Sequence, residues 1–279
     1  MRKSLGVLAL VLVATLGVVA PSHAEGWLPQ LPTAPEGDLP GVNDWSCRPT
    51  AVRPEPVILV HGTIGDRRHL LERLSRMMLR EGFCVFSLDY GNRGLEGIAR
   101  SAAQLKTFTE RVREATGAAK VSMVGHSQGG MMPRYYIKFL GGARYVDDLV
   151  GISPSNHGTT LTGGGTSNLI ADLVIGQVCE ACLQQGAGSD FLVHLNAGDE
   201  TPGKVSYTQI TTKYDEVVVP HTSGYLTPGP RTTNVTIQSL CRRDLSEHVS
   251  NPLSPTTLRI TLDALTHPGP ARLSPTLGC

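Results

Sequence analysis

The stretch "KVSMVGHSQGGMM", residues 120–132, sets a serine between two glycines directly after an apolar run. Lys120 to Val124 is short and β-branched and reads as a buried strand. Gln128 to Leu140 carries apolar residues and tyrosines consistent with a helix, stopped by Gly141 and Gly142. Gly125-His-Ser-Gln-Gly129 therefore fits G-x-S-x-G at a strand–turn–helix junction. A glycine-rich loop can produce the same five residues by chance, and it is the flanking strand and helix that give the pattern meaning. In such a turn the serine backbone is strained, and the glycines remove side chains that would strike neighbouring segments. The Ser127 oxygen then stands at the carboxyl end of a strand, above the amino end of a helix. The unpaired N–H groups of that end favour negative charge. Pro133 deletes one N–H in the second turn of the helix and predicts a kink there.

The same alternation extends outward. Pro56 to Val60 is an apolar strand ending at His61-Gly62, and Asp66 to Glu81 puts Leu70, Leu71, Leu74, Met77 and Met78 on one helical face. Phe83 to Leu88 reads as a strand, Leu95 to Ala115 as an amphipathic helix and Asp148 to Ser153 as a strand. This order predicts an α/β domain over residues 56–279 with a mostly parallel central sheet and helices on both faces. Ligands on such sheets bind at the carboxyl ends of the strands, where His61-Gly62 and Ser127 both fall. The order breaks at His157, and residues 157–203 read as a small cap insertion. Its one apolar helix candidate, Asn168 to Val178, is either an ordinary core helix or an apolar surface beside the site. Lys204 to Thr211 and Thr233 to Leu240 read as the last two strands, and Pro255 to Leu265 as the closing helix.

The chain starts with Arg2 and Lys3, continues with an apolar run from Leu5 to Ala20, and places Ser22 and Ala24 at −3 and −1 of a cut site. Residues 1–24 thus read as a secretory signal, followed by a Pro- and Gly-rich irregular arm over 25–55. Without Arg2 and Lys3, 23 basic residues face 24 acidic ones. Such a balance offers no electrostatic basis for binding nucleic acid. No later segment is apolar for long enough to anchor the chain across a bilayer. Cys47, Cys84, Cys179, Cys182, Cys241 and Cys279 all lie after the signal, an even count that favours three disulfides in an exported chain. The expected pairing is Cys47–Cys84, Cys179–Cys182 and Cys241–Cys279, one of about 15 that six cysteines permit. Cys179-Glu-Ala-Cys182 could also be a redox pair or half a zinc site. The first wants a thioredoxin-like context and the second wants another pair.

A serine hydroxyl becomes a good nucleophile when a base takes its proton and an acid orients the base. After a G-x-S-x-G turn the acid comes before the base in the chain. Asp215, in the loop after the strand ending at Thr211, is the expected acid. Glu216 beside it points differently, and Asp244 is the outside candidate. His248 lies between the last strand and the last helix, where the base belongs, whereas His221 shares the loop of Asp215 and His267 ends the closing helix. His61 and His126 are expected to pack beside the turns. The backbone N–H groups of Gln128 and Thr63 are the expected oxyanion donors.

Val60-His-Gly-Thr63, Gly125 to Tyr136, Ser153-Pro-Ser-Asn-His-Gly-Thr159, Tyr214-Asp-Glu-Val-Val218 and Ser246-Glu-His248 together resemble the secreted class 2 lipases of actinobacteria, in the α/β-hydrolase superfamily. The resemblance runs through nearly all of the chain after residue 24. It implies Ser127 as nucleophile, Asp215 as acid and His248 as base, in the hydrolysis of carboxylic esters, typically acylglycerols, without cofactor or metal. The implied partner is a lipid or small ester, met at a lipid–water interface. Some bacterial lipases carry structural calcium, but no run of oxygen-bearing residues here has a recognisable calcium-loop spacing. An acyltransferase would use the same triad with an acceptor site. A non-catalytic binding protein on this fold would be expected to lack triad members.

Overall fold

A computed structural model describes residues 37–68, 70–160 and 178–279. The signal over 1–24, the first part of the arm and the helix candidate over 168–178, apart from Val178, lie outside the described residues. Six strands form one parallel sheet: β1 (Val57–Val60), β2 (Val85–Leu88), β3 (Val121–His126), β4 (Val146–Ile152), β5 (Ser206–Thr211) and β6 (Thr232–Thr236). Their order across the sheet is β2-β1-β3-β4-β5-β6. The helices are α1 (Glu72–Arg80), α2 (Ile98–Thr116), α3 (Gln128–Phe139), α4 (Glu180–Gln184), α5 (Asp190–Asn196) and α6 (Pro255–Thr266).

Strands β1 to β4 are short and largely apolar because the middle of the sheet is covered on both faces, whereas β5 and β6 are rich in threonine. Successive residues of β1 alternate between two cores, as strand geometry requires. Ile58 and Val60 join Phe86, Ile98, Leu105 and Met131 on the face covered by α2 and α3. Val57 and Leu59 join Leu74, Met78, Ile260 and Ala264 on the face covered by α1 and α6. The chain lays β2 on one side of β1 and then returns to lay β3 on the other. The loops leaving β1 and β3 are therefore neighbours at the carboxyl edge, with Val60 in register with Gly125.

Several boundaries differ from the sequence expectation for local reasons. The helix expected from Asp66 begins at Glu72, because the Asp66 carboxylate takes the Arg68 N–H in a turn and Leu70 is left-handed (φ 59°). The helix expected from Leu95 begins at Ile98, whose N–H is bound to the Gln184 side chain. The last strand ends at Thr236 and gives way to a single 3-10 turn, Ile237–Ser239. Helix α3 runs on through Pro133. The described part of the arm is docked: Leu39 and Val42 are buried, and Asn43 exchanges hydrogen bonds with the backbone of Ser87 at the edge strand β2. That pairing covers an edge that would otherwise be free to pair with another chain. The three disulfides are those expected, Cys47–Cys84, Cys179–Cys182 and Cys241–Cys279. The first ties the arm to the sheet and the last ties the chain end to the turn after β6.

Asp148 sits on β4, buried, with the Ser122 hydroxyl 3.3 Å away. Burial, with Asp147 and Glu55 nearby, pushes its carboxyl up to about 8 from the ordinary 3.8. A raised folded-state value means that the folded protein holds a proton which the unfolded chain releases. The resulting stabilisation is complete below about pH 4 and fades as pH rises through about 8. D148N should therefore gain stability relative to wild type as pH is raised from about 5 to 9, followed as the difference in thermal midpoint at each pH. A constant difference across that range would contradict the assigned titration.

Candidate active site

Ser127 occupies the turn between β3 and α3 with φ 55° and ψ −125°, a conformation costly for a residue with a side chain. Backbone packing imposes it. A Cβ on Gly129 would stand 2.2 Å from the His61 carbonyl oxygen and 2.3 Å from that of Val60, and one on Gly125 would stand 1.8 Å from the Gly129 carbonyl oxygen. The Ser127 N–H donates to the Ile152 carbonyl of β4 (2.8 Å), which pins the turn to the next strand.

His248 reaches the site from the loop between β6 and α6. Its Nδ1 donates to the Asp215 carboxylate, 2.9 Å from Oδ1 and 3.0 Å from Oδ2. Both residues are buried. Asp215 also accepts the N–H groups of Val217 (3.0 Å) and Val218 (2.7 Å). Burial pushes the Asp215 carboxyl up, yet the His248 bond and charge, the Val218 N–H and the Ser153 hydroxyl together hold it below its ordinary value. The carboxylate is thus kept ionised against the imidazole.

The other candidates separate cleanly. Glu216 accepts the His248 backbone N–H at 3.4 Å, while Asp244 holds Ser246 N–H and the Ser254 hydroxyl that caps α6. His267 is bound to Asp263 at 3.0 Å. His221 opens a 3-10 turn, His221–Gly224. His126 does more than pack: its Nε2 donates to the His248 carbonyl at 2.9 Å and steadies that loop. His61 is buried against Tyr90, with Nδ1 donating to the Gly62 carbonyl, and burial pulls it down to about 4.

The Thr63 and Gln128 backbone N–H groups have no acceptor among the described residues. Their side chains are joined, with the Thr63 hydroxyl donating to Gln128 Oε1 at 2.8 Å. Thr63, Ser127 and His248 line one cavity of about 480 Å³, together with apolar Ile64, Leu70, Val217 and Val249. Ile64, Val217 and Val249 remain 57%, 41% and 47% exposed, so the mouth of the cavity presents apolar surface to solvent. The arrangement sets a hydroxyl and a carboxylate-oriented imidazole in the wall of one cavity that Thr63 also lines.

Two features had no signal in the sequence. Gln185, at the end of α4, lines the cavity and binds the Thr63 hydroxyl. Arg134 is buried, its Nη2 donating to Asn196 at 2.8 Å, with burial pulling it down to about 10. Among the described residues, no three His, Cys, Asp or Glu side chains gather as a metal site.

Residues 54–258 match the family described as Lipase (class 2). A triacylglycerol lipase of Pseudarthrobacter phenanthrenivorans is 33% identical over 92 residues, covering 29% of this chain and 27% of that protein. One from Burkholderia plantarii is 33% identical over 92 residues, covering 29% of this chain and 24% of that protein. The match thus spans about a quarter of those curated relatives. Among solved structures, Aspergillus fumigatus lipase B superposes with a TM-score of 0.69 at 22% identity, over 88% of this chain and 65% of that one. Bacillus licheniformis lipase BlEst2 in its mature form superposes with a TM-score of 0.61 at 16% identity, over 79% and 95%. These structural likenesses concern the fold, an α/β-hydrolase architecture.

The close packing beneath Ser127 gives a stability prediction. Gly129→Ala should destabilise the protein by at least about 3 kcal/mol, since two backbone carbonyls must move. Gly229→Ala, where the nearest atom is 3.9 Å away, should stay within about 0.5 kcal/mol of wild type. Urea unfolding of the two variants distinguishes these outcomes.

Proposed function

The chain belongs to the class 2 lipase family, and on that premise we propose that it is an exported serine esterase of the lipase type. It hydrolyses carboxylic esters, acylglycerols among them, through an acyl-enzyme on Ser127. The observation that carries this reading is the convergence on one cavity of Ser127, in its strained turn, with the buried His248–Asp215 pair. Such a pair fixes the imidazole tautomer and stabilises the imidazolium that forms when His248 accepts a proton.

His248 Nε2 takes the proton of Ser127 Oγ as Oγ attacks the ester carbonyl carbon. The carbonyl oxygen becomes an oxyanion held by the N–H groups of Thr63 and Gln128. The tetrahedral species collapses, the bond to the alcohol oxygen breaks, and the alcohol leaves with the proton from His248. Water then gives a proton to His248 and attacks the acyl carbon. The carboxylic acid departs as Ser127 recovers its proton. The apolar residues at the cavity mouth fit a substrate presented at a lipid–water interface. Three disulfides and the basic, then apolar, start of the chain support export, with cleavage after Ala24.

Ser127→Ala should keep the fold and lose about 10⁴-fold or more in kcat/KM on a series of p-nitrophenyl esters, and a phosphonate should label Ser127 in the wild type. Asp215→Asn should lose up to about 10⁴-fold, since an amide cannot hold the imidazole tautomer. Asp244→Asn should lower the thermal midpoint and leave turnover close to wild type. Labelling elsewhere, or a crippled Asp244→Asn beside an active Asp215→Asn, would overturn the assignment.

A further inference from the structure

We propose that Gln185 is a positioning residue for the two oxyanion donors, an inference that rests on the esterase reading above. Gln185 is buried at the end of the short helix α4, in the wall of the cavity that holds Ser127. Its carboxamide orientation is set by its surroundings. The Ala181 carbonyl, 3.1 Å away, can only accept, so the atom facing it is the Nε2 amino group. Nε2 therefore donates its second hydrogen to Thr63 Oγ1 (3.1 Å), and Oε1 accepts from the Ser155 hydroxyl (2.8 Å). The Thr63 hydroxyl accepts from Gln185 and donates its own hydrogen to Gln128 Oε1 (2.8 Å). All hydrogens in the series Ser155, Gln185, Thr63, Gln128 run in one direction.

This series joins the loop after β1 to the first residue of α3, the two segments whose N–H groups must converge on a single oxygen. The Thr63 hydroxyl is thereby committed to fixing the loop, and the backbone N–H is left as the donor. Helix α4 is itself firmly placed. Its Ala181 N–H binds the Leu95 carbonyl, Gln184 binds the Ile98 N–H, and the Gln185 carbonyl accepts from Thr159. The Cys179–Cys182 bridge closes its first turn. A cap element that touches no reacting atom is thus coupled to the geometry of the transition state.

The test is the split between kcat and KM on p-nitrophenyl butyrate. Gln185→Leu and Thr63→Val should each lower kcat about tenfold or more with KM within about twofold. Outright loss of an oxyanion donor costs about 10²–10³, and an indirect effect falls below that. The double variant should be no worse than the poorer single one, because both break the same link. Gln185→Glu adds a readout that a merely structural role would not move. Its carboxylate cannot donate to Thr63, whereas its acid form can, so its rate relative to wild type should rise as pH falls from about 8 to about 5. Should Gln185→Leu fail to fold, the near-isosteric Gln185→Glu decides by its pH ratio. A wild-type kcat in the Gln185 variants at every pH, additive losses in the double variant, or a flat pH ratio would overturn the inference while esterase activity and Ser127 labelling stand. A wild-type protein that hydrolyses no ester would overturn the proposed function and this inference with it.

Discussion

Backbone contact between two turns governs this site. Gly129 lies so near the carbonyls of Val60 and His61 that no side chain fits between them. That contact clamps the start of α3 against the end of β1. With Gly125 packed as tightly on Gly129, the chain between them has room only for the left-handed conformation seen at Ser127. Strain of this kind, on the order of 1–3 kcal/mol, persists only where surrounding packing over-determines it. Here it is held by the middle of a parallel sheet, with Ser127 N–H bound to β4. The clamp raises the serine above the strand ends, and the Thr63 and Gln128 N–H groups find no acceptor among the described residues.

Electrostatics complete what packing begins. Burying a carboxylate is costly unless it is hydrogen-bonded, and Asp215 meets that cost with two backbone N–H groups and the imidazole of His248. The imidazole is in turn held from its own backbone, because His126 binds the His248 carbonyl. A histidine one residue before Ser127 thus fixes the loop that bears His248. Charged groups also anchor the segment between β4 and β5: Glu200, held down to about 2, binds His157 at 2.8 Å and the Thr227 hydroxyl. The buried Arg134 reaches from α3 to Asn196 at the end of α5. These contacts hold the described residues between β4 and β5 to the sheet's carboxyl edge, where Gln185 meets Thr63.

Much of the architecture was legible in the sequence because each element carries a local signature. Strands β1 to β4 are short, largely apolar runs, the helices repeat apolar residues on one face, and the order of the two kinds dictates a parallel sheet. Boundaries were less legible, since they depend on single hydrogen bonds. Asp66 turns the chain back before α1, and Gln184, distant in sequence, caps the start of α2. Neither leaves a trace in periodicity.

By itself the sequence determined the residue types and their order: a serine between glycines at a strand end, an acid after β5, a histidine after β6 and an even set of cysteines. These follow from local sterics, from chain order and from composition, all of which are properties of the string. Only the tertiary structure decided which donors and acceptors meet. It placed Asp215 beside His248 and Asp244 at a helix cap. It gave His126 a backbone partner 122 residues away. It also brought Gln185 to Thr63 across the same separation. Hydrogen bonding acts over about 3 Å, and which groups come within that reach is set by how the sheet and the segments between its strands pack together, not by neighbours along the chain.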